Sequence, residues 1–148
     1  MKKILIAYFS LSGKTEMMAQ YVAEGIRFSG NEAVVRKMSD IKNANDLAGY
    51  GGYIFGSPTY YLDAPEPVKT FLFLGRKPGL KDKLGGAFGS YTHDGNAPNI
   101  VFDTMQHVYS MEPFELGPFN LKESVVETTD GMRACQAYGR ALGEKLGT

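Results

Sequence analysis

The sequence predicts an α/β fold, namely a doubly wound, five-stranded parallel sheet with helices on both faces. Short, nearly continuous apolar runs alternate along the chain with segments whose apolar residues recur at helical spacing. Buried parallel strands and the helices that cover them produce this alternation. The length of 148 residues, with 43% hydrophobic and 22% charged residues, suits an ordered globular chain. We therefore expect one domain over residues 1–148.

The first half of the chain contains three predicted strands. Residues 3–9 and 52–57 are apolar runs of the kind that a buried parallel strand requires, and residues 33–38 form a shorter run. Between the first two strands in chain order, residues 14–29 predict a helix, because their apolar residues recur on one face. Residues 40–50 are polar with a few apolar anchors, which predicts a short helix and a loop.

The second half of the chain continues the alternation. Its predicted elements are, in order, a helix over 65–74, a glycine-rich strand over 85–91, a helix over 99–109, a strand within 114–121 and a helix that Thr129-Asp130 caps and that ends near Leu146. The apolar residues at helical spacing in the last two helices, including Val108 and Cys135, are predicted to face the core. The glycines of residues 85–91 predict close packing or a close backbone approach.

Composition excludes several classes of function. Sixteen basic and sixteen acidic residues balance, which gives no indication of a nucleic-acid or acidic-membrane partner. The single cysteine rules out an internal disulfide framework, and two distant histidines do not provide the spacing of a metal site. The apolar run near the N-terminus is too short for a membrane span. We expect a cytoplasmic protein, a monomer or weak homo-oligomer, without bound metal.

Three loops follow predicted strand ends, where open parallel sheets bind ligands. The first reads Ser10-Leu11-Ser12-Gly13-Lys14-Thr15. Its backbone N–H groups, its hydroxyls and the start of the next helix predict an anion site, to which Lys14 adds charge. The alternative is a simple helix cap. Tyr8 stands where a triphosphate-binding loop requires glycine, so the loop suits a single phosphate.

The second loop contains Pro58, Thr59, Tyr60 and Tyr61. Two adjacent tyrosines at a strand end offer flat faces to a planar ring. Thr59 and the loop backbone offer hydrogen bonds to the heteroatoms of such a ring. The alternative is that one or both tyrosines pack over the sheet edge, and we expect at least one of them to be structural.

The third loop begins at the end of the fourth predicted strand and supplies Ser90, Tyr91, His93, Asp94 and Gly95 as further binding candidates. Tyr91 is suited to stacking on a ring, and Asp94 to binding hydroxyls or ring nitrogens. His93 and Asp94 are adjacent, and no nucleophile accompanies them, so we predict no catalytic residue. A solvated histidine is the alternative for His93.

Taken together, the loops resemble the flavodoxin family. The first loop is similar to the phosphate loop of flavodoxins, Thr/Ser-x-Thr/Ser-Gly-Asn-Thr, and residues 87–91 are similar to the flavodoxin domains of diiron flavoproteins. Residues 56–59 are similar to those domains and to the flavodoxin-like quinone reductases. The resemblance covers the whole chain. It implies noncovalent FMN, with the phosphate in the first loop and the ring between the second and third loops.

The resemblance also assigns roles to individual residues. It implies that the phosphate is bound by Ser10, Ser12, Gly13 and Thr15, and that the ring is contacted by Thr59, Tyr60 and Tyr91. Lys14 departs from the family by replacing asparagine. Tyr61 stands where many flavodoxins have a glycine, whose peptide flips to contact the protonated ring nitrogen of the half-reduced flavin. Tyrosine adopts the positive φ of the flipped peptide at a higher cost than glycine, so we expect little stabilisation of the half-reduced flavin.

Two functions follow from this resemblance. The first is an electron carrier between redox partner proteins, which the absence of a long insertion in the sequence favours. The second is an NAD(P)H-dependent quinone or flavin reductase. A module that uses the fold without flavin remains a third hypothesis, although a phosphoacceptor receiver domain is set aside because no acidic pair follows the first strand. Flavodoxins are usually acidic, and this chain is neutral, so electrostatic docking to basic partners is not implied.

Overall fold

The computed structural model describes residues 1–76 and 79–148 and confirms the predicted α/β fold. The strands are β1 (Lys3–Tyr8), β2 (Glu32–Lys37), β3 (Gly52–Gly56), β4 (Leu84–Tyr91), β5 (Glu112–Pro113) and β6 (Phe119–Lys122). The helices are α1 (Lys14–Phe28), α2 (Glu66–Leu74), α3 (Asn96–His107), α4 (Glu123–Val126) and α5 (Thr129–Leu146). The crossover from β2 to β3 contains two 3₁₀ turns, Met38–Asp40 and Ala44–Leu47, where we expected a short helix.

The sheet is parallel, and its strands lie in the order β2-β1-β3-β4, with β5 and β6 both paired to β4. The side chains of β1, β3 and β4 are almost wholly buried, as their apolar runs predict. Helices α1 and α5 cover one face of the sheet, and α2 and α3 cover the other. On β4, for example, Gly85 faces Met105 of α3, whereas Gly86 faces Tyr138 and Leu142 of α5.

The predicted fifth strand is in fact two short strands. Strand β5 pairs with the start of β4 and β6 with its end, and the chain leaves the sheet between them. Pro113 and Pro118 lack the N–H group that a continuous ladder needs, which explains the interruption. Tyr138 fills the gap: its hydroxyl accepts a hydrogen bond from Ala87 N (3.1 Å) and donates one to Gly117 O (2.7 Å).

We expect Tyr138→Phe to lower the free energy of unfolding by about 1–3 kcal/mol, because the change leaves two backbone groups without a partner. Tyr21→Phe is the matched control, since the hydroxyl of Tyr21 makes no hydrogen bond within the described residues. Urea unfolding followed by circular dichroism measures both variants. Equal midpoints for the two variants would contradict this role of the Tyr138 hydroxyl.

Three element ends differ from the predictions. Helix α3 begins three residues early, at Asn96, and ends at His107, so the inward orientation predicted for Val108 is wrong and that side chain is 58% exposed. The last helix is capped by Thr128, whose Oγ1 accepts a hydrogen bond from Gly131 N (3.0 Å), and not by Thr129-Asp130. Cys135 lies fully in the core as predicted, and burial raises the pKa of its thiol to about 12.

Candidate functional site

The three loops singled out in the sequence follow β1, β3 and β4, which are neighbours in the sheet. Their carboxyl ends therefore lie side by side, at the edge where open α/β sheets bind ligands. The last strand segment, β6, ends beside β4 and leads directly into α4. The loop after β1 thus has the second and third loops on one side and α4 within reach.

The backbone of the first loop leaves several N–H groups free to bind an anion. Gly13 adopts φ +90 at the start of α1, and its N–H donates to Ser10 Oγ (3.1 Å). Within the described residues, the N–H groups of Leu11, Ser12, Thr15 and Glu16 have no hydrogen-bond partner. The N-cap residue Gly13 has no side chain that could cap the helix, and Ser12 Oγ accepts only a long hydrogen bond from Lys14 N (3.5 Å), so the loop is more than a simple cap. Free N–H groups at a helix start are suited to a phosphate.

The side chains of this loop contact residues that the sequence did not indicate. Ser12 Oγ donates to Glu123 Oε1 (3.0 Å), and Lys14 Nζ forms an ion pair with Glu127. These two carboxylates flank the loop from α4 and from the residue after it. Because α4 follows the carboxyl end of β6, the rule that ligands bind at strand ends indicates this region, although it does not indicate which residues contact the loop.

Thr15 lies at the floor of the site. Its Oγ1 is 2.9 Å from Ser90 Oγ, and both side chains are buried. In the second loop, Thr59 N donates to Ser90 O (3.2 Å), and Thr59 Oγ1 accepts from Ala97 N at the start of α3 (2.8 Å). Ser90 therefore joins the first loop to the second, and Thr59 joins the second loop to α3. Pro58 is buried beside Thr59.

The second loop ends in a tight turn. Tyr60 and Asp63 exchange two backbone hydrogen bonds of 3.0 Å, and between them Tyr61 (φ 51) and Leu62 (φ 63) are both left-handed. Tyr61 has the positive φ that we argued to be costly for tyrosine, and its side chain is fully exposed and does not pack over the sheet. Tyr60 is half-buried.

Tertiary contacts hold this turn in its strained conformation. Asn96 Nδ2 donates to Leu62 O (2.8 Å), and Asp63 accepts hydrogen bonds from Lys69 Nζ and from Ala64 N. The hydrogen bond from Lys69 lowers the pKa of the Asp63 carboxyl below its ordinary value. Non-glycine residues in this region cost about 1–3 kcal/mol each, and they persist where the surrounding structure fixes them.

The third loop borders a polar pocket of about 480 Å³. Tyr91 is half-buried, whereas His93 and Asp94 are exposed at its rim, and Gly95 packs against Asn120 of β6. Asn120 Oδ1 is buried and, among the described residues, has no hydrogen-bond partner. Asn120 is a site residue that the sequence did not indicate, because the position of β6 beside β4 could not be predicted.

Glu123 influences the second loop as well as the first. Burial raises the pKa of the Tyr60 hydroxyl, and the nearby Glu123 carboxylate adds to that rise. The charge of Glu123 therefore acts on both the first and the second loop. A negative charge at this position disfavours further negative charge in either loop.

Neither a membrane span nor a metal site is found in residues 1–76 and 79–148. None of the helices there combines the length and the hydropathy that crossing a bilayer requires. Those residues also contain no cluster of three or more histidine, cysteine or acidic side chains suited to a metal ion.

Comparisons with known proteins agree with this geometry. The flavodoxin family model matches residues 6–116, more than half of the chain. A flavodoxin of Clostridium saccharobutylicum is 38% identical over 103 residues, which cover 70% of the chain and 64% of that protein. A diflavin flavoprotein of Synechocystis sp. is 28% identical over 147 residues, 97% of the chain but 24% of that protein.

The chain thus spans under two thirds of the Clostridium flavodoxin and about a quarter of the diflavin flavoprotein. A solved structure of a flavodoxin from the domain Archaea superimposes with a TM-score of 0.86 and 26% identity, over 97% of the chain and 98% of that structure. The match to the family model and the agreement in fold lead to one conclusion: the chain belongs to the flavodoxin family, whose cofactor is FMN.

Proposed function

We propose that this chain binds FMN noncovalently at the three loops and carries electrons between redox partner proteins in the cytoplasm, as a monomer or weak homo-oligomer. The observation that carries the proposal is the set of unpartnered N–H groups in the first loop, beside two loops that present Tyr60 and Tyr91. FMN, when bound, supplies the electron-accepting and electron-donating ring. The protein supplies its position and its surroundings.

The first loop suits the FMN phosphate. Four free N–H groups and the hydroxyls of Ser10 and Ser12 are donors, as a doubly charged anion requires, and the open left-handed backbone at Gly13 allows close approach. Thr15 holds the floor of the loop through Ser90. The Ser12 hydroxyl must exchange Glu123 for phosphate on binding, because both acceptors compete for the same proton.

The second and third loops suit the isoalloxazine ring. We assign its contacts to Tyr60 and Tyr91, to the backbone of the second loop at Pro58, Thr59 and Tyr61, and to the third loop at Ser90, His93, Asp94 and Gly95. Asn120 Oδ1 is an additional candidate, because a buried acceptor without a partner suits the imide N–H of a flavin ring. Thr59 acts through its backbone, since its hydroxyl already binds Ala97 N.

Two carboxylates beside the first loop would repel the FMN phosphate. Glu127 is neutralised by its ion pair with Lys14, whereas Glu123 has a hydroxyl as its hydrogen-bond partner. We therefore assign Lys14 to compensating Glu127, which keeps one negative charge away from the phosphate. FMN affinity then depends on the negative charge of Glu123.

Glu123→Gln should strengthen FMN binding by about 0.5–1 kcal/mol, because a charge near a partly exposed phosphate is removed while the side-chain volume stays the same. Fluorescence titration of FMN measures the change. Glu115→Gln is the matched control, since Glu115 is an exposed carboxylate in the interruption between β5 and β6. Weaker FMN binding in Glu123→Gln than in the control would show that the carboxylate supports the cofactor.

Electron transfer is tested with the FMN-loaded protein. The flavin is photoreduced without oxygen, and oxidised cytochrome c is added as an artificial acceptor; we expect rapid reduction of the cytochrome in proportion to the flavin. In a second assay, NAD(P)H and menadione are mixed with the protein, and we expect no consumption above that of free FMN. Sustained NAD(P)H consumption would replace the carrier by a reductase.

A further inference from the structure

A second concavity lies beside the first loop. It is a groove of about 1010 Å³ between the end of β1, the turn segment that follows β2, and helix α2. The crossover from β2 to β3 contains 3₁₀ turns where a longer helix would lie over the sheet, and this leaves the groove open. Ser10, Leu11 and Gly13 form the boundary that it shares with the first loop.

The wall of this groove is apolar. Its apolar lining comes from the residue after β1, from the turn segment and from α2: Phe9, Met38, Ile41, Phe71 and Leu74. The hydroxyl-bearing residues Ser39 and Thr70 also line it. Two large apolar side chains extend the lining outward, Phe73, which is 64% exposed, and Leu11, which is 69% exposed. An apolar wall with exposed aromatic and aliphatic residues at its mouth is typical of a binding surface.

The rim of the groove is basic. Lys37, Lys42 and Arg76 line it and are exposed, and none of them pairs with a carboxylate within the described part of the chain. The Arg76 guanidinium lies 4.8 Å from the centre of the Phe73 ring. Since the chain as a whole carries sixteen charges of each sign, this cluster is a local feature and not part of a generally positive surface.

Three carboxylates lie nearby. Asp46, which is outside the lining, accepts hydrogen bonds through Oδ2 from the backbone N–H groups of Lys42 (3.1 Å) and Asn43 (3.4 Å). Glu16 lines the groove and accepts a hydrogen bond from Tyr8 Oη (2.8 Å). Asp40, in the turn segment, is close enough to Tyr8 to contribute to the raised pKa of that hydroxyl, after burial and Glu16. The lining residues themselves comprise three cations and one carboxylate.

We propose that this basic groove docks an amphipathic helical segment of a redox partner protein, with apolar side chains flanked by carboxylates. The idea of a redox partner rests on the proposed function, whereas the groove itself does not. Its volume lies at the upper end of the range of about 300–1,000 Å³ for small-ligand pockets, and its lining continues onto exposed side chains, as helix-in-groove docking requires. Charge complementarity selects an acidic partner.

The groove is adjacent to the proposed cofactor site. The groove and the proposed FMN phosphate site both border the first loop, so a segment docked in the groove lies next to the phosphate site. The two sites share Ser10, Leu11, Gly13 and Glu16, whereas the three cations are not part of the proposed FMN site. Docking and cofactor binding can therefore be altered separately.

The test uses two fluorescein-labelled synthetic peptides and the protein as purified. Both peptides have leucine and phenylalanine on one helical face; one has glutamates flanking that face, and the other has lysines in their place. Fluorescence anisotropy at low ionic strength measures the binding of each. We expect the acidic peptide to bind at least about tenfold more tightly than the basic one, with an affinity that falls as salt rises.

Charge reversal assigns the binding to the groove. We expect the triple variant Lys37→Glu/Lys42→Glu/Arg76→Glu to weaken binding of the acidic peptide by about tenfold or more. The separate variant Phe73→Ala should also weaken it, because an apolar contact is lost. The matched controls are Lys81→Glu/Lys83→Glu/Arg133→Glu and Phe28→Ala, which alter exposed residues elsewhere and should leave binding unchanged. All five proteins, including the wild type, should still bind FMN, because none of the altered residues is assigned to the FMN site.

Three results would overturn the proposal. They are failure of the acidic peptide to bind, equal binding of the two peptides, and an equal loss of binding in the groove and control variants. Binding of the anionic dye anilinonaphthalenesulfonate at the groove without binding of the acidic peptide would also overturn it, in favour of a small anionic ligand. Peptide binding does not use the flavin, so a failure of FMN binding is observed separately, in the visible spectrum.

Discussion

Replacing Ser12 and Thr15 together with alanine is expected to weaken FMN binding by about 2–6 kcal/mol, because each hydroxyl contributes about 1–3 kcal/mol to a hydrogen-bond network around a charged group. The two residues act differently. Ser12 is exposed and can donate to the phosphate once it leaves Glu123. Thr15 is buried, and its hydrogen bond with Ser90 fixes the first loop against β4. The double variant therefore lacks a hydrogen-bond donor to the phosphate and also the Thr15–Ser90 hydrogen bond that holds the loop in place.

Riboflavin separates this effect from a loss of folding. Riboflavin carries the same ring as FMN but no phosphate, so its affinity should change little in the double variant. Ser124→Ala/Thr129→Ala, which removes two exposed hydroxyls near the same end of the sheet, is the matched control and should bind FMN as the wild type does. Unchanged FMN affinity in Ser12→Ala/Thr15→Ala would show that the phosphate does not lie in the first loop.

Gly139→Ala is expected to lower the free energy of unfolding by about 3 kcal/mol or more, although alanine favours helix. Gly139 lies where α5 crosses α1, and an added Cβ would be 2.0 Å from Val22 O, a backbone atom that cannot move alone. Gly25 of α1 makes the reciprocal contact, since its Cβ would lie 1.9 Å from Gln136 O. Two packed helices would have to separate to admit one methyl group.

Gly143→Ala is the comparison that isolates the cause. Its Cβ would lie 2.0 Å from Ser29 Oγ and 2.8 Å from Ser29 Cβ, so that residue must shift and give up its hydrogen bond to Ile26 O, but the three nearest atoms all belong to side chains and the helix gains a better helix-forming residue. We expect Gly143→Ala to lower the free energy of unfolding by about 1–2 kcal/mol, less than Gly139→Ala does. Urea unfolding followed by circular dichroism compares the variants. Equal destabilisation of Gly139→Ala and Gly143→Ala would contradict the close backbone contact between the helices.

Most of the sheet could be predicted from the sequence, because apolar runs and periodicity are local properties. Glycine-rich β4 illustrates this: the predicted close backbone approach is present, since a Cβ at Gly89 would lie 1.9 Å from Ser57 O. The strand predicted within 114–121 overlaps β6 but misses β5, because two residues are too few for a periodic pattern. Val108 was misplaced because it follows the end of α3.

The loops could be located from the sequence, but their contacts could not. Glu123 and Glu127 are more than a hundred residues from Ser12 and Lys14, and only the fold brings them together. Tyr61 shows the reverse case. Its local preference disfavours a positive φ, yet the contacts of Asn96 with Leu62 and of Lys69 with Asp63 fix the turn. Tertiary structure prevails over local propensity at this position.

The measurement that tests the account most directly is a titration of the purified protein, freed of any bound flavin, with FMN and in parallel with riboflavin. We predict equimolar, saturable binding of FMN, with quenched flavin fluorescence and a shifted visible spectrum, and a weaker affinity for riboflavin, because the unpartnered N–H groups of the first loop recognise the phosphate. The absence of both a spectral shift and fluorescence quenching at a large excess of FMN would contradict FMN binding. Equal affinities for FMN and riboflavin would contradict the phosphate site.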